Sequence, residues 1–167
     1  MTRDPRAIRI LTTGGTIDKL YFDALSEFQV GDTIVDRLLQ RGRVRHPYAV
    51  QEVCRKDSLE LTDADRAAIA QAVRDAPEIR IVVTHGTDTM VETAAALADA
   101  AAGKTVVFTG ALAPARMTES DAPFNLGLAF AAAQTAPPGV WIAMSGTIFD
   151  ARRVAKDRSA GAFVGRD

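Results

Sequence analysis

The sequence predicts an α/β fold in which a doubly wound, mainly parallel sheet carries helices on both faces and residues 1–167 form a single domain. Short apolar runs rich in β-branched residues alternate along the chain with alanine-rich helical stretches. Most of these runs are apolar almost throughout, as expected of parallel strands that are covered on both sides. Right-handed crossovers then place helices on both faces, which gives the three-layer sandwich of flavodoxin-like and Rossmann-like proteins.

Five strands are predicted, each a short apolar run between turn or helix signals. They are residues 8–11, 49–53, 79–83, 105–108 and 140–143. The chain shows no linker, repeat or low-complexity segment between them, which supports one domain.

Two of the predicted helices lie in the first half of the chain. A short helix over residues 32–40 is closed by Gly42. A better-marked helix begins at Thr62, whose spacing to Asp65 resembles a capping box, and ends before Pro77.

Two more helices are predicted in the second half. One begins near Thr89, where a Thr-x-x-Glu spacing to Glu92 gives a full capping-box signal, and ends at Gly103. The other follows Asp121, has Pro123 in its first turn and runs toward a Pro-Pro pair.

Composition narrows the class of partner. With 20 basic and 21 acidic residues the net charge is −1, which gives no general attraction to nucleic acid or to an anionic membrane. The charged first residues contain no apolar signal segment, and the single Cys54 excludes an internal disulfide. We expect a cytoplasmic protein whose partner is a small molecule.

Hydroxyl residues and glycines follow every predicted strand. Because the carboxyl ends of parallel strands meet at one edge, these loops should line the crevice where open α/β sheets bind ligands. They are residues 12–16, 56–58, 84–88, 109–111 and 145–147.

Several familiar motifs do not fit this edge. The first turn, residues 13–18, lacks the Gly-x-Gly-x-x-Gly pattern, and residues 103–105 end like a phosphate loop but precede a strand. Residues 143–147 are not a Gly-x-Ser-x-Gly elbow, and His46 and His85 have no paired zinc-ligand spacing. We therefore expect no cofactor and no metal.

A hydroxyl-based site remains. A threonine oxygen is a weak nucleophile that needs a group to take its proton. Thr16 is the candidate, with Tyr21 on the same loop, Thr87 and Asp88 on the third loop, and Lys156 as a lysine kept partly neutral by burial.

At these residues the sequence resembles the bacterial-type L-asparaginase family. Two motifs carry the resemblance, TGGTI at residues 13–17 and HGTDTM at residues 85–90. Weaker support comes from the motifs DSLELT, TGALAP, SDAPFNL and DARRVAK, so that nearly the whole chain is covered. The resemblance implies hydrolysis of L-asparagine to L-aspartate and ammonia through a covalent acyl-enzyme.

The resemblance also implies roles for the catalytic residues. Thr16 would be the nucleophile, with Tyr21 beside it on a mobile lid loop. Thr87, Asp88 and Lys156 would relay protons.

The implied substrate contacts come from four loops. Asp88 would bind the α-amino group and Ser58 the α-carboxylate, while Ala111 would give a backbone contact to the amide. Gly15 and Gly86 would supply further backbone contacts.

This sequence differs from the larger family members, in which a second domain of a neighbouring subunit donates an acidic residue to the substrate amino group. The sequence resembles the short-chain forms of the family, which lack that domain. Either another acid, with Glu60 as the candidate, replaces the missing charge, or the substrate is held more loosely. Leu59 stands where larger members often have a polar contact. We expect a homodimer or homotetramer, as is usual in the family.

Each site residue also has a structural interpretation. If these residues had no role in a site, Thr16 would only cap the turn and Asp88 would cap a helix. Lys156 would then lie solvated on the surface, and Tyr21 would pack over its loop. His85 is predicted to be structural, with its ring bonded to backbone carbonyls.

Two other functions compete with hydrolysis. A non-catalytic module that binds a small amino acid would keep the pocket without needing the Thr16 hydroxyl. A subunit that supplies ammonia to a larger amidotransferase would keep the hydroxyl and carry an interface for its partner.

Overall fold

Ten strands and four α-helices make up residues 4–166, the part of the chain that the computed structural model describes. The strands are β1 (Ile8–Gly14), β2 (Lys19–Phe22), β3 (Glu27–Val30), β4 (Tyr48–Lys56), β5 (Arg80–Thr84), β6 (Thr105–Thr109), β7 (Gly139–Met144), β8 (Thr147–Asp150), β9 (Val154–Asp157) and β10 (Ala162–Gly165). The helices are α1 (Val35–Arg41), α2 (Asp63–Asp75), α3 (Met90–Ala96) and α4 (Ala122–Thr135). Short 3-10 turns, Thr16–Asp18 and Ser58–Glu60, follow β1 and β4.

The central sheet has six strands in the order β4-β1-β5-β6-β7-β8. The first five are parallel and β8 pairs antiparallel with β7. All five predicted strands lie in this sheet, and the order of its parallel strands is that of flavodoxin-like proteins. The predicted fold class is confirmed.

Helices cover both faces of the sheet, because neighbouring residues of the buried strands point to opposite sides. Ile10 of β1 and Val82 of β5 pack against α1 and α4. The next residues along the same strands, Leu11 and Val83, pack against α2 and α3. Each strand therefore contributes apolar side chains to two separate cores, which is why its sequence shows no polar alternation.

The predicted start of α2 is confirmed. The Thr62 side chain accepts from the Asp65 N–H at 3.2 Å, and the Asp65 carboxylate accepts from the Thr62 N–H at 2.8 Å. Of the other helices, α1 begins a few residues later than predicted and closes on Gly42. Helix α4 begins at the predicted place, with proline in its first turn. No helix among residues 4–166 is long and apolar enough to cross a membrane.

The prediction for α3 is wrong in two respects. The capping box between Thr89 and Glu92 does not form, because the Thr89 hydroxyl donates instead to the Ser58 carbonyl at 2.8 Å. The helix also ends at Ala96 rather than at Gly103, and residues 97–103 form consecutive turns. These turns bring apolar side chains of the segment into the core.

Five short strands were not predicted. β2 and β3 form one hairpin, β9 and β10 form another, and β8 adds to the edge of the sheet. The two hairpins are half-exposed and lie outside the central sheet, so they lack the continuous apolar runs that mark its parallel strands.

Glycines bring the loops at the ligand edge into direct backbone contact. Gly15 has φ 83°, and a Cβ placed on it would lie 2.4 Å from the Gly86 nitrogen. A Cβ on Gly86 would in turn lie 2.6 Å from the Ser58 side chain. The turns after β1, β5 and β4 therefore pack together at distances that only glycine allows.

Asp18 lies where the chain passes from the first turn into the β2–β3 hairpin. Its carboxylate is buried and accepts from the Ile34 N–H at 2.9 Å. Burial raises its pKa to about 6, and the nearby Glu52 acts in the same direction. The hydrogen bonds from Ile34 and Thr33 and the charge of Arg116 oppose this shift without cancelling it.

We predict that Asp18→Asn removes a pH dependence of stability. Because the folded pKa lies above the ordinary aspartate value of 3.8, the folded state holds the proton more tightly than the unfolded state. Stability therefore falls as pH rises from about 4 to about 6, by about 3 kcal/mol in total. The asparagine keeps an acceptor for Ile34 and cannot ionise, so urea unfolding of this variant should lack the decline.

Asp23→Asn, at the exposed turn of the same hairpin, is the matched control and should keep the decline. An unchanged slope in Asp18→Asn would contradict the prediction.

A second prediction concerns Gly15→Ala, compared with Gly103→Ala. Both glycines have positive φ, but nothing lies within 4 Å of a Cβ on Gly103. The control should cost only the left-handed conformation, about 1–2 kcal/mol. Gly15→Ala should cost a further 1–3 kcal/mol or so, because its Cβ meets backbone that cannot rotate away. Equal losses in urea unfolding would disprove the close-contact explanation.

Candidate active site

The candidate site lies beyond the carboxyl ends of the adjacent strands β1 and β5. The helices that follow these two strands, α1 and α3, lie on opposite faces of the sheet. β1 pairs on one side with β4 and on the other with β5. In open α/β sheets this switch point is where ligands bind, beyond the carboxyl ends of the strands. The turns after these three strands carry Thr16, Ser58 and Thr87.

Thr16 begins the 3-10 turn after β1 and is half-buried. The two preceding glycines, Gly14 and Gly15, both have positive φ. The Gly15 N–H donates to the Lys56 carbonyl at 2.9 Å, so it is already engaged. Gly15 thus contributes its left-handed geometry and its close approach to Gly86.

Thr87 and Asp88 follow the contact between Gly15 and Gly86 and share one cation. The Lys156 Nζ donates to the Thr87 Oγ1 at 2.8 Å and to the Asp88 Oδ1 at 2.6 Å. The Lys156 side chain is 12% exposed and that of Asp88 is 39% exposed. The solvated-surface interpretation of Lys156 is therefore wrong, because its ammonium lies between a hydroxyl and a carboxylate.

The β9–β10 hairpin places Lys156 at this position. Val154, two residues earlier on the same face of β9, is buried, and Phe163 opposite Lys156 on β10 is buried as well. Both apolar side chains belong to the core under α3. They hold the inward face of the hairpin against the domain, and Lys156 lies on that face.

Ser58 and Glu60 lie in the 3-10 turn after β4. Ser58 is buried against Gly86, and its carbonyl accepts from the Thr89 hydroxyl. The neighbouring Asp57 pairs with Lys19 of β2 at 2.6 Å, which joins this turn to the hairpin.

A cavity of about 610 Å³ lies between this turn and the β2–β3 hairpin. Asp88 and Glu60 both line it, together with Lys19 and the exposed Leu59. Its lining carries four carboxylates, Glu27, Asp57, Glu60 and Asp88, of which Asp57 pairs with Lys19 and Asp88 with Lys156. The Leu59 side chain is apolar, so it offers no polar contact to a ligand in this cavity.

Tyr21 lies on β2 and is 50% exposed. Its ring packs edge-on against Phe28 of β3, with centroids 5.4 Å apart. The packing interpretation of Tyr21 thus describes this conformation, and the structure does not bring its hydroxyl to Thr16.

Ala111 is buried in the loop after β6. Asp121, the N-cap of α4, and Asn125, within α4, hold this loop in place. The Asp121 carboxylate accepts from the Leu112 and Ala113 N–H groups at 3.0 Å. Asn125 donates to the Gly110 carbonyl at 3.1 Å and to Asp121. Sequence reasoning gave Asp121 and Asn125 no site role, although both lie in the SDAPFNL motif.

His85 is buried and structural, as predicted. Its Nδ1 lies 2.7 Å from the Gly86 carbonyl, and its Nε2 lies 2.9 Å from the Thr93 hydroxyl. Burial lowers its pKa to about 4, so the ring is neutral at physiological pH. The imidazole therefore fixes the backbone at Gly86.

Free backbone donors complete the arrangement. Within residues 4–166, the N–H groups of Thr87, Asp88 and Ala111 donate to no other group. Among the same residues, no cluster of three His, Cys, Asp or Glu side chains is placed to hold a metal ion. Two hydroxyls, an ammonium, carboxylates and free donors at one edge suit attack on a carbonyl group.

Comparisons with known sequences agree with this geometry. The family model "Asparaginase, N-terminal" matches residues 7–163. The L-asparaginase of Thermococcus kodakarensis is 33% identical over 165 residues, which cover 91% of this chain and 48% of the relative. A probable periplasmic L-asparaginase of Haemophilus influenzae is 31% identical over 159 residues, 89% of this chain and 46% of the relative. The chain spans about half the length of these curated relatives.

Solved structures show the same fold. The thermostable L-asparaginase from Thermococcus kodakarensis superposes with a TM-score of 0.81 at 30% identity, over 95% of this chain and 51% of that one. A probable cytoplasmic L-asparaginase from Campylobacter jejuni gives 0.79 at 29% identity, over 95% and 51%. By the extent of the family match and by its fold, the chain belongs to the asparaginase family, within the N-terminal domain of that family.

Proposed function

We propose that this chain hydrolyses L-asparagine to L-aspartate and ammonia through an acyl-enzyme on Thr16. The observation that carries the proposal is the group of Thr87, Asp88 and Lys156, which lies beside the contact between Gly15 and Gly86. Thr16 directly follows Gly15, and Thr87 directly follows Gly86. The two threonines are therefore carried on turns whose backbones are in contact. Family membership supports the same substrate.

In the proposed first step the Thr16 oxygen attacks the side-chain amide carbon of asparagine. The Thr16 proton passes to the departing nitrogen, which leaves as ammonia and leaves an ester on Thr16. The free Ala111 N–H is a donor for the oxygen of the tetrahedral intermediate, where charge develops. Tyr21 would join this step only when the hairpin carries its ring toward Thr16.

The second step is hydrolysis of the ester. The Lys156 ammonium donates to Thr87, so the proton of the Thr87 hydroxyl is directed away from Lys156 and toward the crevice. Such a hydroxyl can orient water and pass a proton on. Asp88 fixes the ammonium from the other side, which positions the relay.

The α-groups of the substrate would be held by the adjacent turns. Asp88 is the proposed acceptor for the α-ammonium, and Ser58 the proposed donor to the α-carboxylate. The free N–H groups of Thr87 and Asp88 provide further donors, and Gly86 permits the close approach of this backbone. Glu60 lines the same cavity as Asp88 and would supply the second negative charge.

The remaining parts of the proposal concern the protein in the cell. A cytoplasmic location is proposed, although the names of relatives include both a cytoplasmic and a periplasmic enzyme. Self-association into a homodimer or homotetramer is also proposed. Exposed apolar side chains near the ligand edge, Leu112, Phe124 and Ile148, favour it, and a light-scattering mass tests it.

The central experiment measures ammonia release from asparagine and glutamine by the purified chain. Thr16→Ala should lose at least ~10³-fold in kcat, because the nucleophile is removed. Thr118→Ala, in an exposed loop, is the matched control and should retain activity. A purified chain that binds asparagine without releasing ammonia would favour the binding module, and release only with a partner would favour the amidotransferase subunit.

Rapid quenching followed by tryptic mass spectrometry identifies the acylated residue. Cleavage after Arg9 and Lys19 yields a peptide with Thr16, and cleavage after Arg80 and Lys104 yields one with Thr87. We expect the aspartyl adduct on the first peptide. An adduct on the second peptide would make Thr87 the nucleophile and would disprove the role assigned to Thr16.

Glu60→Gln tests the second negative charge. The variant should raise KM for asparagine about 5- to 10-fold with little change in kcat, since binding of the ammonium is weakened equally in the ground and transition states. Glu119→Gln, in the loop before α4, is the control. An unchanged KM would show that the substrate is held without Glu60.

A further inference from the structure

The β2–β3 hairpin is held at its base by one guanidinium group. The Arg116 Nη1 donates to the Asp18 carbonyl at 3.1 Å, and its Nη2 donates to the Asp32 carbonyl at 2.8 Å. These carbonyls lie on the two sides of the hairpin, where the chain enters β2 and leaves β3. The Gly31 N–H also donates to the Asp18 carbonyl, at 3.0 Å.

The loop that carries Arg116 also contacts the turn of Thr16. The Ala115 N–H donates to the Ile17 carbonyl at 3.2 Å. Upstream in the same loop, Asp121 holds the backbone of Leu112 and Ala113 against the start of α4. Arg116 therefore reaches the hairpin from a loop that is itself anchored to the domain.

Two ion pairs also anchor the base of the hairpin, Lys19 with Asp57 and Arg55 with Asp32, each at 2.6 Å. Toward the tip, Tyr21, Phe22 and Phe28 are 50%, 43% and 47% exposed. Tyr21 is only three residues beyond Asp18, about 10 Å along an extended strand, so the orientation of the base sets where its ring can reach.

From these contacts we propose that Arg116 is a positioning residue, which holds the hairpin base so that Tyr21 can meet Thr16 during the reaction. The proposal rests on the function proposed above. A planar guanidinium presents parallel donors and bridges two carbonyls at once. A lysine ammonium is a compact group on a flexible stem, so it keeps the charge but holds the two sides of the hairpin less firmly.

The neighbouring surface provides a matched control. Arg116 lines a recess of about 270 Å³ together with Arg37 and Arg41 of α1. Within residues 4–166, Arg37 forms neither a salt bridge nor a side-chain hydrogen bond. Arg37→Gln therefore removes the same charge from the same recess without touching the hairpin.

The test compares Arg116→Gln, Arg116→Lys and Arg37→Gln by amide hydrogen exchange over residues 19–30 and by steady-state kinetics on asparagine. In Arg116→Gln, exchange should rise at least ~10-fold as local opening becomes easier. kcat should fall about 10- to 100-fold, because Tyr21 is misplaced. KM should change less than about 2-fold, because Ser58 and Asp88 lie outside the hairpin.

Arg116→Lys should recover part of both effects, and Arg37→Gln should change neither. Faster exchange with unchanged kcat, or equal effects in Arg37→Gln, would overturn the proposal. If the wild-type chain releases no ammonia, the proposed function fails, but the exchange of residues 19–30 still tests whether Arg116 holds the hairpin base. Unchanged exchange in Arg116→Gln would disprove that role of Arg116 independently of activity.

Discussion

The contact between Gly15 and Gly86 is the constraint on which the candidate site depends. A side chain on Gly15 would push apart the turns that follow β1 and β5, and one on Gly86 would meet Ser58 in the turn after β4. On the other side of Gly86 lies Ser58, and a Cβ on Gly110 would meet the His85 carbonyl at 2.3 Å. Four loops from neighbouring strands are thus joined at one edge by backbone contacts. The polar side chains of the site are carried on a framework made almost entirely of main chain.

Much of the fold could be predicted because its determinants are local. The apolar strands and the Thr62–Asp65 capping box depend on residues within a few positions of each other, and the structure forms them as predicted. Thr89 carries an equivalent local signal, but Ser58 competes for its hydroxyl from 31 residues away. The hairpins were missed for a related reason. They dock through a few residues such as Phe163, and no continuous apolar run marks them.

The candidate site divides in the same way. Thr16 and Thr87 could be selected from their motifs because each directly follows a recognisable strand. Lys156 was a candidate from the sequence, but its bond to Thr87 spans 69 residues and no local signal indicates it. Nothing in the sequence near Arg116 indicates that it reaches a carbonyl 98 residues earlier. The contact of Arg116 with the Asp18 carbonyl depends on the sheet order, which brings the loop after β6 and the turn after β1 to the same edge of the sheet.

The docking of Lys156 on the last hairpin has a consequence for the order in which the site assembles. Synthesis proceeds from the N-terminus, so the turns of Thr16, Ser58 and Thr87 leave the ribosome well before β9 and β10. Until Phe163 is made and buried, Lys156 has no fixed position and the Thr87 hydroxyl has no cation. An incomplete chain can therefore form the sheet edge without the contacts of Lys156 to Thr87 and Asp88.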